Sequence, residues 1–137
     1  MTSDRELILE QLGRMARAID SRDWPTIRSM YTEDAWAYGQ SGAADIVATM
    51  QAHLGGVGPT QHLLGNHRVT ITGDTARSLS YARVYHVGAG PMVGRFFEVM
   101  GEYDDHWTRR DGHWLLTRRW FEMEIQLGDI AVLRPAD

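Results

Sequence analysis

The 137-residue chain has no cysteine, which excludes disulfides, thiolate nucleophiles, Cys-ligated zinc and iron–sulfur clusters together. Its chemistry must come from His, Asp, Glu, Tyr and Arg. The cationic residues form no block and the formal charge is −4. The clustered charge that grips a phosphate backbone is therefore missing, and no nucleic acid is expected as partner. No apolar run reaches the ~18 residues of a membrane span. The opening "MTSDRELILEQ" also lacks the basic-then-apolar order of a signal peptide. A cytoplasmic protein with no membrane contact is the expectation. Repeats, low-complexity tracts and linkers are absent, as are an HExxH motif and an EF-hand loop. "GAGPMVG" has the wrong spacing for a dinucleotide loop and opens no helix, so it reads as a hairpin connection.

Apolar residues make up 43% and charged residues 23%, close to ordinary globular averages. The length suits one domain, residues 1–137, able to bury roughly two thirds of its unfolded surface. Ile8, Leu12, Met15 and Ile19 recur at helical spacing, with Ser3 and Glu6 placed as a capping box. "RDWPTIRSMYTED" fits a second helix capped by Asp23 with Pro25 in its first turn. "AWAYG" reads as a short strand, and "SGAADIVATMQAHLGG" as a third helix with Ser41 as its cap. Four stretches of strand character follow, at 60–72, 75–87, 93–108 and 113–125. Helices first and a long antiparallel meander afterwards describe an α+β domain whose curved sheet wraps the helices.

Period-two counting assigns polar residues to faces. It puts Leu115, Thr117, Arg119, Phe121 and Met123 on one side of the last strand, with Trp114, Leu116, Arg118, Trp120 and Glu122 on the other. Ala76, Ser78, Ser80, Ala82, Val84 and His86 share a side small enough to border a cavity. Asp20, His62 and Arg119 each stand where a folding pattern prefers an apolar residue. A buried unpaired charge costs several kcal/mol, so these groups should satisfy one another or serve a site. Asp20 is a particular puzzle, because the dipole at a helix C-terminus disfavours a carboxylate. Taken singly, each has a structural reading too: a satisfied strand histidine, a carboxylate binding the "SRDWP" turn, an arginine reaching solvent along its stem. "EYDDHW" sets Asp104, Asp105 and His106 in succession, but alternation sends neighbours to opposite faces, so no metal site is expected.

In order and separation, "AIDSRDWPTIRSMY", "PTQHLLGNHRVTI" and "EYDDHWTRRDGHWLLTRR" resemble the SnoaL-like group of the NTF2-like superfamily, and within it scytalone dehydratase and hexachlorocyclohexane dehydrochlorinase. The resemblance covers about residues 5–125. It implies a cone-shaped α+β barrel enclosing one apolar pocket and working with no cofactor. By it, His62 is a general base paired to Asp20. Arg119 matches an arginine thought to assist halide departure in the dehydrochlorinase. His86 and Tyr38 match a second histidine and a carbonyl-polarising tyrosine of the dehydratase. Ile19 replaces another dehydratase tyrosine, which tells against an identical substrate.

An imidazole is the side chain best suited to taking a proton near neutral pH, and a carboxylate on its other nitrogen fixes the tautomer. The expected function is thus a cofactor-independent lyase that eliminates water from a small cyclic or polyketide-like hydroxy-carbonyl compound. An isomerase or cyclase would share the first step, and a non-catalytic small-molecule carrier is the contrasting class. Epoxide hydrolysis would need a carboxylate pair, and Glu98, Glu102 and Asp104 have no partner by spacing. A small hydrophobic organic substrate would be shaped by Trp36, Met50, Val84, Phe97, Phe121 and Met123. Exposed positions such as Trp114 and Trp120 would be explained by a homo-oligomer, trimer or dimer, that covers them.

Overall fold

The computed structural model describes residues 1–136. Helix α1 (Asp4–Asp20) starts where the Ser3 hydroxyl accepts from the Glu6 N–H, and it buries Ile8, Leu12, Met15, Ala18 and Ile19. Helix α2 (Trp24–Ser29) is capped by Asp23, which accepts from the Thr26 N–H. It is shorter than the sequence pattern suggests. Tyr31 and Thr32, read above as helical, begin strand β1 (Tyr31–Ala37), because pairing with the last strand satisfies more backbone than another helical turn would. Ser41 is likewise no helix cap. It belongs to the two-residue strand β2 (Gln40–Ser41), and helix α3 (Ala43–Leu54) opens from Gly42, whose φ of 97° an L side chain rarely adopts.

Four long strands follow: β3 (Thr60–Thr72), β4 (Thr75–Val87), β5 (Phe96–Arg110) and β6 (His113–Gly128). "GAGPMVG" is a connection with a single 3₁₀ turn at Gly90–Met92, and a second such turn, Ile130–Val132, follows β6. The six strands lie in the order β2-β1-β6-β5-β4-β3. Neighbours are antiparallel except β1 and β6, which run parallel, so the expected meander gains a parallel strand. The sheet curves round the helices without closing, so the cone is an open one rather than a barrel.

Among the four long strands, three irregularities bear on which side chains face inward. In β3, Gly65 pairs with Tyr81 and Arg68 with Leu79, so one extra residue is accommodated near Asn66, whose φ is 52°. His62 and Leu64 point in before the bulge and His67 and Val69 after it, while Leu63 is exposed. In β6, Arg118 pairs with His106 but Leu116 with Trp107, leaving Thr117 as the extra residue. The parity read from the sequence therefore fails across Thr117. Trp114 and Leu116 are buried on the same side as Arg119, and Trp114 is no exposed aromatic awaiting a subunit. A third bulge skips Glu124 opposite Gly101, where a Cβ would stand 2.1 Å from the Glu122 carbonyl oxygen and only glycine fits.

The larger apolar cluster joins the three helices to β1, Trp107, Trp114 and Leu116. A smaller one gathers Val84, Phe97, Val99 and Val132 at the other end of the sheet. Glu98, Glu102 and Asp104 lie on the outer face, paired to Arg83, Arg68 and Arg77 across strands. Each of these three carboxylates is thus committed to an arginine outside the core.

Candidate active site

Between the two clusters the core opens into a cavity of about 380 Å³. Ile19 and Met50 wall it from the helices, Val84, Phe97, Val99 and Phe121 from the sheet, and Met123 stands near its mouth. Five of the six residues expected to shape the substrate are in this lining. Trp36 is the exception. It lies on the opposite face of β1 from the buried Ala35 and Ala37, stacks on Trp120 at 5.9 Å and carries the Arg118 guanidinium over its ring. Only Trp120 of that stack reaches the cavity.

His62, His86, Tyr38 and Arg119 all line the cavity, at different stations. The His62 Nδ1 stands 2.6 Å from Asp20 Oδ1. A carboxylate only accepts, so Nδ1 carries the proton and Nε2 holds the lone pair. Asp20 also accepts from the His62 backbone N–H at Oδ2 and from the Thr60 hydroxyl at Oδ1. Burial pushes the Asp20 carboxyl up, but these donors outweigh it and hold the group below its ordinary range. The carboxylate misplaced by the helix dipole is thereby compensated by three hydrogen bonds from the next wall of the cone.

Arg22 was not picked out from the sequence. Its backbone is in the left-handed region, φ 57°, and its guanidinium donates to the carbonyls of Ile19 and Gly58 and to the Thr60 hydroxyl. It thus caps α1 with positive charge, ties that helix to the start of β3, and orients the Thr60 hydroxyl that donates to Asp20. The run "DSRDW" could have signalled this, since the arginine follows directly on the helix end that needs a cation.

His86 is buried, and its Nδ1 lies 2.8 Å from the Phe97 carbonyl oxygen, its cross-strand partner. The carbonyl can only accept, so Nδ1–H donates. Burial pushes His86 below the ordinary imidazole value, more strongly than the Phe97 bond raises it. A neutral ring with Nδ1–H committed leaves Nε2 as an acceptor. A neutral His86 cannot protonate a leaving group: in this state its free nitrogen accepts.

Arg119 and Asp105 are registered partners on β6 and β5 and form a two-point ion pair, Nε to Oδ1 at 2.8 Å and Nη2 to Oδ2 at 3.0 Å. Both are sealed from solvent, at 2% and 0% side-chain exposure. Burial acts against both charges: it leaves the Asp105 carboxyl above its ordinary range despite Arg119, while Asp105 holds the Arg119 guanidinium well above its own. The three ionisable residues singled out in the sequence thus form no single network. Asp20 serves His62, and Asp105 serves Arg119. Alternation had separated Asp105 from Asp104 and His106 correctly, yet gave no hint of its partner, which is 14 residues away on the next strand. The Arg119 guanidinium also lies 3.9 Å over the Tyr103 ring. Burial and the adjacent Tyr38 push the Tyr103 hydroxyl far up, against the pull of Arg119, so it stays a donor. Tyr38 follows β1 in a left-handed turn, φ 54°, half open to solvent.

The cavity therefore has two acceptor nitrogens on the β3–β4 wall and hydroxyl and guanidinium donors on the β1–β5–β6 wall, with apolar side chains between them. Residues 1–120 match the family model of the SnoaL-like domain. The chain belongs to the SnoaL-like family. Its fold is that of NTF2-like proteins: a Novosphingobium aromaticivorans protein assigned as an aromatic ring hydroxylase superposes with TM-score 0.84 at 27% identity, over 94% of this chain and 95% of that one. A second protein of that organism, assigned as a scytalone dehydratase, gives 0.80 at 15% over 97% and 92%. The type 3 hexachlorocyclohexane dehydrochlorinase of Novosphingobium barchaimii gives 0.69 at 18% over 90% and 88%. Comparison with curated proteins gives no significant match. Three different activities are named on one architecture, so the fold alone does not choose among them. Among the described residues of this SnoaL-like chain, no helix is long and apolar enough to cross a membrane.

Proposed function

We propose that this SnoaL-like protein is a cofactor-independent lyase that removes water from a small, uncharged, largely apolar hydroxy-carbonyl compound. One observation carries the reading: His62 lines an apolar cavity with its Nδ1–H held by Asp20 at 2.6 Å, which leaves Nε2 as a base. In the first step Nε2 takes a proton from the carbon next to the carbonyl, and Asp20 stabilises the imidazolium that forms. The enolate oxygen is met by donors on the opposite wall, Tyr38 and Tyr103, near the fixed charge of Arg119. Because Asp105 neutralises Arg119, the cavity floor favours a neutral ligand over an anion. His86 Nε2 accepts from a substrate hydroxyl and so sets its orientation. The proton on His62 then leaves with the departing hydroxide as water.

Isomerisation or cyclisation would begin with the same abstraction and needs no leaving-group acid, a point in its favour because neutral His86 cannot supply one. The protein acts in the cytoplasm as a homo-oligomer, trimer or dimer, in this reading. Exposed Trp120, Ile125 and Leu127 on β6 are the surface such an assembly would cover. The test is a panel of cyclic hydroxy-ketones assayed with wild type, His62→Ala and Asp20→Asn. Turnover should fall by roughly a thousandfold or more in both variants while ligand affinity stays within a few-fold. Equal turnover in the variants would remove the reading, and rearranged rather than dehydrated product would replace it with the isomerase.

A further inference from the structure

Asp20 does not line the apolar cavity. It lines a second cleft of about 330 Å³ on the far side of the dyad, between α1 and β3, walled by Gly13, Ala16 and Arg17 and by Gln61, Leu64 and His67. His62 is the one residue common to both spaces. The dyad is therefore a partition, apolar hollow in front and a more polar cleft behind, and it retains slight exposure, 7% for the His62 side chain and 10% for Asp20.

The helix that forms the rear wall is built to leave this space open. Gly13 sits in the middle of α1, where glycine is a poor helix former, yet its backbone is helical and no positive φ requires it. A Cβ at that position would meet no atom within 4 Å. Neither turn geometry nor crowding accounts for the residue, whereas a longer side chain there would enter the cleft. Ala16, one turn on, is also small. His67 stands across from them with its Nδ1 2.8 Å from the buried Ser80 hydroxyl, a second imidazole facing the same space.

We propose that this rear cleft is the solvent door of the dyad, the opening through which Asp20 and His62 exchange protons with water while a substrate fills the front cavity. The inference rests on the dyad being the proton-transferring pair proposed above. With Nε2 protonated by the substrate, the Nδ1–H bond, held by Asp20 Oδ1 at 2.6 Å, breaks as an O–H bond forms to a water in the cleft, which leaves as hydronium while Asp20 stays ionised. A second water returns a proton to Nδ1 as its own O–H bond breaks, and the hydroxide left behind neutralises the hydronium. The ring is again the imidazolium bonded to Asp20, and its Nε2 proton is still there for the departing hydroxide. A substrate sealing the front cavity does not block this path.

The test needs no substrate, so its failure is separable from that of the lyase reading. The exchange rate of the His62 Nδ1–H with water is measured by nitrogen-15 NMR on the full chain, in wild type and in two variants that plug the cleft, Gly13→Leu and Ala16→Met. Exchange should slow by roughly tenfold or more in both, because water then reaches the dyad only when α1 opens locally. A front-blocking variant, Met123→Trp, should leave fast exchange in place. Wild-type rates in the plugged variants, or slowing by Met123→Trp alone, overturn the proposal. Should Gly13→Leu fail to fold by circular dichroism, Ala16→Met decides the matter by itself. A His62→Ala protein that keeps its turnover sinks the lyase reading without altering the exchange result.

Discussion

Two carboxylate–cation pairs border the same cavity and are built differently. Arg119 and Asp105 face each other across adjacent strands, meet at two points, and are closed to water. Asp20 and His62 join the end of a helix to a strand that begins 40 residues later, meet through one ring nitrogen and one backbone N–H, and sit between two openings. The first pair holds two charges against each other, out of reach of water. The second holds a group whose charge can change, with water close behind it. A site that moves protons needs both kinds, a fixed dipole to meet developing charge and a base that can be reset.

That contrast can be broken most sharply by removing Asp20. Asp20→Asn keeps the hydrogen-bonded shape but presents an amide that can reverse the His62 tautomer, and kcat should drop by about 10³-fold or more with little change in KM. Steady-state kinetics on the active compound of the panel measures it. Cutting the sealed pair should show in folding instead. Arg119→Met leaves Asp105 buried and unpaired and should cost about 3–5 kcal/mol in urea unfolding, whereas the double change Arg119→Met with Asp105→Leu should recover most of it. A double variant no better than the single would mean that the pair is not an isolated unit.

The pH dependence of stability sharpens the comparison further. His86 and His67 have folded-state values below the ordinary imidazole value, His86 mainly through burial and His67 through burial and the nearby Arg5. The unfolded chain therefore binds protons that the folded chain refuses, and stability falls as pH drops through about 6.5, the ordinary imidazole value. Asp20, also depressed, adds a second loss at lower pH, as acid reaches its folded value below the usual carboxylate range. Thermal midpoints between pH 8 and 5 should decline, and His86→Gln should flatten the upper part of that slope. The smallest effect is expected at the rear wall. Gly13→Ala, exposed and free of contacts, should raise stability by about 0.5–1 kcal/mol through helix propensity alone. A loss of stability there would mean that the cleft is filled in a way its open geometry does not suggest.

Much of the site was legible because it rests on local pattern. His62 stood out as an imidazole in a β-alternation, Asp20 as a carboxylate on the wrong end of a helix, and both oddities resolve in a single contact. Asp105 was not legible in the same way. It looked like one of three adjacent polar residues, and only strand pairing shows that its partner is Arg119. Trp36 and Trp114 were misassigned for one reason each. Trp36 lies on the outer face of a strand whose inner face the short apolar run did not reveal, and the bulge at Thr117 carries Trp114 to the inside. Arg22 was hidden because its role depends on a carbonyl and a hydroxyl nearly forty residues away.

What the amino-acid order determined on its own was whatever one element can specify: helix starts at Ser3 and Asp23, the buried stripe of α1, the number of long strands, and which polar residues would need partners. Helical and pleated periods act within a few residues, and that is the range over which side-chain spacing carries information. Tertiary structure decided the parallel seating of β1 on β6, the bulges that reverse inside and outside along β3 and β6, and the partner of each buried charge. Those choices depend on groups brought together from distant parts of the chain, where burial makes an unmatched donor or charge costly and only one arrangement satisfies them all.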